Sequence, residues 1–499
     1  MLHQTMTTHY LACDLGAESG RLMLGRLEKG RLSVQEFHRF LNAPVQEGNE
    51  HSWDVEMLWQ EILTGLRKAA EADYPISSIS CDSWGLDYIL FDKKGGIVSP
   101  TYSYRDPRTE KSVDQVLKKI SWETIFDETG IQFMPMNTIF QLGAETDKRL
   151  KKAHQFLTVG DGFNFLLSGV AKVDQSSAST TQLYNPRTEA WSEPVLQALK
   201  LPASIFPSVV PCGTRLGPLR AEVVKATDLA HDDIDQIEVV ASCSHDTAAA
   251  VAAVPATGRD WAYLSSGTWS LLGMESPVPM MTSVCRDLNF TNEVGYGGSF
   301  RVLKNIIGLW IVQECRREWV RQEQDYDYGM LSHLAASADP FVSLINPEDP
   351  RFLSPGDMPD KIKTYCKETG QRTPKKPGEF IRCVLESLAL LYRRNLHQLE
   401  HLSGRKFERL HIVGGGSQNS VLNHFTANAV QIPVVVGPTE ATAVGNILVQ
   451  AITMGHVSSI EEARKIVHDS FPIETIQPRE ARAWEDGAVR FEELFQPAE

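Results

Sequence analysis

The chain has 499 residues, longer than one hydrophobic core usually supports, and its 42% hydrophobic and 22% charged content is that of an ordinary folded protein, so two domains are expected. A formal net charge of −14 without a long basic run argues against nucleic acid or an anionic membrane as the main partner, although a few local donors can still hold a small anion. The eight cysteines form no CxxC frame, Met1–His9 has no leader-like pattern, and no uncharged apolar run is long enough to span a bilayer. Reduced thiols and a cytoplasmic location are therefore expected.

Tyr10–Cys13 reads as a short apolar strand that runs into Asp14-Leu15-Gly16-Ala17-Glu18-Ser19-Gly20-Arg21. Arg21–Leu27 and Leu32–Leu41 alternate apolar and polar residues across Glu28-Lys29-Gly30, a hairpin signal. Trp53–Ala72 places Val55, Leu58, Trp59, Ile62 and Leu66 at helical spacing with Ser52 as a cap, and Ile76–Ser83 is a further strand. Three strands, a helix and a strand, with a Gly/Ser turn after the first strand, resemble the opening of a ribonuclease H-like domain, the unit of actin, hexokinase and Hsp70-type ATPases. In such a turn glycine lets backbone N–H groups close on phosphate oxygens and serine adds a donor. Asp14 at the strand end suits a hydrated Mg²⁺; a plain β-turn with a capping aspartate is the alternative.

Asp82-Ser83-Trp84-Gly85-Leu86-Asp87-Tyr88 offers an aromatic wall, room for close approach and paired carboxylate acceptors, which suit a sugar. Tyr104-Arg105-Asp106-Pro107-Arg108 adds two cations, with surface ion pairing as the alternative, and Asp174–Asn185 reads as an ordered polar loop. Pro202–Pro218 reads as a loop wrapping the first domain. The corner Ser244-His245-Asp246-Thr247, between a strand ending at Ala241 and a small-residue helix from Ala248, places a carboxylate, an imidazole and two hydroxyls at a helix N-terminus. Ser244 or Asp246 equally suits an N-cap.

Trp261–Ser265 meets Ser266-Gly267-Thr268-Trp269, so the strand, hydroxyl/glycine turn and strand of the N-terminus recur, and two such turns facing one another would clamp phosphate. Asn305–Val320 and Phe380–Leu402 read as helices, Leu410–Val413 and Ile432–Val436 as strands, and Ser420–Val430 as a helix after Gly414-Gly415-Gly416. The glycines lack GxGxxG spacing and no GxxxxGK[ST] occurs, so Rossmann and P-loop readings fail; bare backbone there suits a flat adenine. The expected fold class is α/β, two ribonuclease H-like domains with a cleft between them. The domains are 8–254, carrying the sugar site and first phosphate turn, 255–460, binding nucleotide, and a helical tail over 461–499. A hinge near Val254–Asp260 would close them on ligand and exclude water.

Asp14-Leu15-Gly16-Ala17-x-Ser19-Gly20-Arg21, Asp82-x-Trp84-Gly85-x-Asp87, Tyr104-Arg105-Asp106, Gly130-Ile131-Gln132-Phe133, Ser244-His245-Asp246-Thr247, Tyr263–Ser270 and His411–Gly416 together resemble the motifs of the FGGY carbohydrate kinases, in family order, from Asp14 to about Gly445. The resemblance is strongest to members acting on L-rhamnulose. It implies transfer of the ATP γ-phosphoryl to the 1-hydroxyl of that ketose, with Asp246 as proton acceptor. It further implies sugar contacts from Gly85, His245, Asp246, Thr247 and Asn305, beside Trp84 and Asp87 from the strand end. ATP contacts are implied for Ala17, Glu18, Ser19, Gly20, Arg21, Thr268, Gln313 and Gly415, and Mg²⁺ near Asp14. Glu18 departs from the small hydroxyl residue common at its position, and Met136 from a bulkier aromatic. The rival readings are a kinase for L-fuculose or L-xylulose, a non-catalytic nucleotide-dependent binding protein, and a retaining glycosidase built on Asp82 and Asp87. Oligomeric state stays open.

Overall fold

A computed structural model describes residues 7–229 and 237–495; most of the Met1–His9 segment and the end of the 461–499 tail lie outside them. Two compact units form: Met1–Thr257 with Glu275–Val302 and Ala441–Phe471, and Gly258–Met274 with Leu303–Glu440 and Pro472–Glu499. Where the sequence suggests contiguous blocks, the chain interleaves the two units. The first division falls within Val254–Asp260, the stretch expected to hinge.

The first unit is organised on a mixed sheet. Its strands are β1 (Thr8–Leu15), β2 (Ser19–Glu28), β3 (Arg31–Leu41), β4 (Ile76–Ser83), β5 (Thr214–Pro218) and β6 (Glu238–Ala241), in the order β5-β6-β4-β1-β2-β3. β1 pairs antiparallel with β2 and parallel with β4, and β4 pairs parallel with β6. The hairpin turns at Lys29 and Gly30, both with positive φ. Helix α1 (Val55–Glu71) buries Leu58, Ile62 and Leu66 against the sheet. Its cap is Asp54, whose carboxylate accepts from Met57 N at 2.9 Å, in place of the expected Ser52.

Two further segments differ from expectation. Gln175–Thr180 is a short buried helix rather than a loop. Three hydroxyls of the tract satisfy themselves locally: Ser179, Thr180 and Thr181 donate to the carbonyls of Ser176, Ser177 and Ala178 at 2.7–2.9 Å, and Ser176 Oγ donates to the Asp174 carboxylate, so a polar tract can enter the core. The corner helix α2 (Asp246–Ala252) has only seven residues, and His245 at its N-cap makes no side-chain capping bond.

The second unit repeats the plan. Its strands are β7 (Trp261–Ser266), β8 (Trp269–Ser276), β9 (Phe300–Ile307), β10 (Arg409–Val413), β11 (Val434–Val436) and β12 (Glu474–Ile476), in the order β9-β8-β7-β10-β11-β12. β7 is antiparallel to β8 and parallel to β10, as β1 is to β2 and β4. Strand β12 pairs antiparallel with β11, so the tail is not wholly helical. Helix α3 spans Trp310–Arg321 and α4 Pro377–Ser403. Asn305 and Ile306 therefore end strand β9 instead of opening a helix. Gly308 separates strand from helix at a point where an added Cβ would lie 2.5 Å from Ser270 Oγ.

In the first unit, helix Ala441–Thr453 packs on α2 so closely that a Cβ on Gly445 would lie 1.8 Å from the Ala249 carbonyl oxygen. Gly445→Ala is expected to cost about 1–3 kcal/mol or more and to lower Tm in a thermal melt. An unchanged Tm would show that the two helices separate freely.

Candidate active site

Strand register assembles the site. Asp14 on β1 pairs with Asp82 on β4, and Ser83 bridges in parallel to His245, so Asp14, Asp82 and Asp246 gather at the C-terminal ends of the central strands of the first sheet. Arg21 pairs with Asp14. Asp82 Oδ2 accepts from Asn446 Nδ2 at 2.6 Å, while its buried Oδ1 has no hydrogen-bond partner. Burial, then the neighbouring Asp14 charge, holds the Asp82 carboxyl well above the usual carboxylate range.

Asp246 is held through one oxygen. Its Oδ1 accepts from Thr247 N at 2.6 Å and from Thr247 Oγ1 at 3.2 Å, and His245 Nε2 stands 3.3 Å from the same atom. The side chain keeps 31% of its surface open to water. Burial first and the Asp14 charge second push its pKa up to about 7. The helix N-terminus does not hold Asp246 in the ordinary carboxylate range: the helix is short, and Asp14 and Asp82 crowd the carboxylate.

Beneath the corner lies a buried polar layer. Ser244 Oγ donates to Asp161 Oδ1 at 2.7 Å and Ser244 N to Asp174 Oδ1 at 3.1 Å, so Ser244 is an anchor and not an N-cap. Asp161 also accepts from Thr158 Oγ1 at 2.5 Å. Ser83 N donates to the Ser244 carbonyl at 2.9 Å.

Gly85 faces His245, where an added Cβ would sit 3.2 Å from Nε2 and 3.4 Å from Thr180 Oγ1. Trp84 packs on Trp53 at a ring-centroid distance of 4.5 Å. Asp87 is spent inside the protein. Its Oδ2 accepts from Trp53 Nε1 (2.6 Å), Trp84 Nε1 (2.9 Å) and Tyr104 N (3.2 Å), and its Oδ1 from Gln141 Nε2 (2.9 Å). Asp87 therefore orients two indoles instead of offering free acceptors to a ligand, and no free Asp82/Asp87 pair exists for a glycosidase. Arg108 is likewise internal, paired with the buried Glu145 at 3.1 Å and stacked on Tyr102.

The turn over Ala17, Glu18, Ser19 and Gly20 is closed by Gly16 N donating to Ser19 O (2.9 Å) and by Asn42, which the sequence did not single out. Its Nδ2 donates to Gly16 O at 2.8 Å and its N to Glu18 O at 3.0 Å. Glu18 is exposed. In the second unit, the β7–β8 turn is fixed by Gly308 N and Trp310 N donating to Thr268 O at 3.0 and 3.2 Å, and Gln313 Nε2 donates to Thr268 Oγ1 at 3.1 Å. Gly414 takes a positive φ of 87°, and a Cβ on Gly416 would meet Ser266 Oγ at 2.3 Å, whereas Gly415 is open. Thr268, Gln313 and Gly415 thus share one end of the second sheet, with Asn305 on β9 of that unit.

Among the described residues no cluster of three or more His, Cys, Asp or Glu could alone hold a metal ion. Asp14 and the unpartnered Asp82 Oδ1 nevertheless fit a hard cation that takes one or two carboxylates and completes its shell with water and phosphate. No described helix is long and apolar enough to cross a membrane.

Two repeats of an ATPase-type mixed sheet, each with its own turn, define a class of phosphotransferase fold, and the comparisons with known proteins specify it. The model of the N-terminal domain of the FGGY family of carbohydrate kinases matches residues 9–253, and that of its C-terminal domain residues 262–454. The chain belongs to this family. It is 42% identical to the rhamnulokinase of Bacteroides thetaiotaomicron over 97% of this chain and 99% of that one. It is 39% identical to the rhamnulokinase of Bacillus subtilis over 94% and 96%. In fold it resembles the xylulose kinase of Rhodospirillum rubrum (TM-score 0.78, 18% identity, 98% of each chain). It also resembles Plasmodium falciparum glycerol kinase with ADP (TM-score 0.78, 13% identity, 99% of each chain).

Burial raises the folded pKa of Asp161 to about 7, above an unfolded value near 4, so the folded state binds the extra proton between those values. Its contribution to stability is present below pH ~4 and fades as pH rises through about 7. Relative to Asp161→Asn, the wild type is expected to lose stability between pH ~4 and ~7 in urea titrations and to change little above that. A constant difference would contradict the assignment.

Proposed function

We propose that this carbohydrate kinase transfers the γ-phosphoryl of ATP to the 1-hydroxyl of L-rhamnulose, giving L-rhamnulose 1-phosphate and ADP, with Asp246 accepting the hydroxyl proton. The substrate assignment is supported by rhamnulokinase relatives that align over nearly the whole chain. The observation that carries the chemistry is the anchoring of Asp246 by Oδ1, which leaves Oδ2 to meet a sugar hydroxyl.

In the transfer, the bond between the γ-phosphorus and the β–γ bridging oxygen breaks, the sugar oxygen bonds to phosphorus, and the hydroxyl proton passes to Asp246. The transition state is loose, so the proton leaves late and alignment matters most. A carboxylate with pKa near 7 is also a better base than an ordinary one. Gly85, His245 and Thr247 surround the carboxylate as sugar contacts, with Trp84 as an apolar wall and Asn305 as a further polar contact. Residues 17–21 with Thr268, Gln313 and Gly415 bind ATP. Asp14, with Asp82 beside it, would hold Mg²⁺, which would neutralise charge on the phosphates.

A panel of L-rhamnulose, L-fuculose and L-xylulose with ATP and Mg²⁺, read as ADP formed, is expected to favour L-rhamnulose. A preference for another ketose would replace the substrate, and absence of any sugar phosphate by mass spectrometry would favour a binding protein. Asp246→Asn should still bind ATP but turn over slower by a factor on the order of 10² or more. In the wild type, kcat/KM should rise with pH through a limb near about 7 as Asp246 ionises, and a limb near pH 4 would contradict its role.

A further inference from the structure

His245 is buried, and the group behind it is an arginine. Arg301 on β9 has no solvent-exposed surface, and its Nη2 donates to His245 Nδ1 at 3.0 Å. The same Nη2 lies 3.0 Å from Glu293 Oε2, which is itself 3.5 Å from His245 Nδ1. A guanidinium has only donors, so His245 Nδ1 must be an acceptor and the ring proton of the neutral imidazole must sit on Nε2. Nε2 stands 3.3 Å from Asp246 Oδ1, within reach of a bond from that proton.

We propose that Arg301, balanced by Glu293, is a positioning residue that fixes the Nε2–H tautomer of His245, so that His245 donates to Asp246 Oδ1 and turns the other oxygen toward the acceptor hydroxyl. This rests on the reading of Asp246 as the base. Without Arg301, Nδ1 would take a proton to meet Glu293, and Nε2 would turn a lone pair on an already negative carboxylate. The remaining groups around the ring do not supply the missing donor. Ser176 Oγ accepts from the His245 backbone N, the Gly85 side is bare, and Asp14 acts on Asp246 and not on the ring, adding negative charge there. Burial and the Arg301 charge both hold His245 well below the usual histidine range, so the wild-type ring stays neutral at working pH.

The test compares wild type with Arg301→Met, Arg301→Lys, Glu293→Gln and the double variant Arg301→Met/Glu293→Gln, each first shown to be folded by its thermal melt. Arg301→Met should lower kcat about 10- to 100-fold with little change in KM for ATP, and its loss should grow with pH as the wrong tautomer forms. Arg301→Lys, which keeps a donor, should retain more activity. Adding Glu293→Gln to Arg301→Met should restore part of kcat, because the glutamine amide can donate to Nδ1. Nitrogen-15 NMR of the His245 ring, assigned with His245→Gln, should show an Nε2–H tautomer that does not titrate between pH 6 and 9 in wild type, and a titrating ring in Arg301→Met. An Nδ1–H tautomer in wild type, or Arg301→Met with wild-type kcat and pH profile, would overturn the proposal. If Arg301→Met does not fold, the wild-type tautomer and the Arg301→Lys profile still decide. Full activity in Asp246→Asn would instead remove the base assignment, and slower turnover there with an unaffected Arg301→Met would remove this proposal alone.

Discussion

The site depends on a repulsion that the fold enforces. Parallel pairing of β1 with β4, and of Ser83 with His245, sets Asp14, Asp82 and Asp246 at neighbouring positions where none can move away from the others. Burial first, and the Asp14 charge second, raise the pKa of Asp82 and Asp246. Arg21 pairs with Asp14, Asn446 relieves part of this at Asp82, and the two Thr247 bonds relieve part of it at Asp246. What remains is a carboxylate near neutrality with one oxygen fixed, and a pocket that attracts cations.

Holding that arrangement requires a rigid support, and the layer beneath the corner supplies it. Ser244, Asp161 and Asp174 form a buried polar network linked to β4 through Ser83. Such a network is favourable only while its members are satisfied, and it fixes geometry more than it adds stability. Arg301 and Glu293 extend the same logic to the face of His245. Each is a costly buried charge alone, and together they leave the imidazole neutral and directed.

The sequence revealed the frame because its signals are local. Ile76–Ser83 and Ser420–Val430 coincide with their elements, and the corner at 244–247 stands out because a polar cluster interrupts apolar runs. Asn305 and Ile306 misled because they share helical spacing with Leu309, and only the tight approach of Gly308 to Ser270 shows where the strand ends. The Ser/Thr tract at 176–181 reads as an ordered polar loop because hydroxyls bonded to their own helix carbonyls leave no trace in composition. Asp87 seemed available because nothing nearby in the chain announces that two tryptophans and a glutamine converge on it. Arg301 and Asn42 act through residues far away in sequence, so only the folded chain exposes their roles.

Packing, not composition, tunes Asp246, and its carboxyl group can be observed directly. Infrared difference spectra of the ligand-free protein against Asp246→Asn, recorded across pH, report when that one group ionises. The account predicts a protonated carboxyl band that persists to about pH 7, and a carboxylate already complete at pH 5 would contradict it.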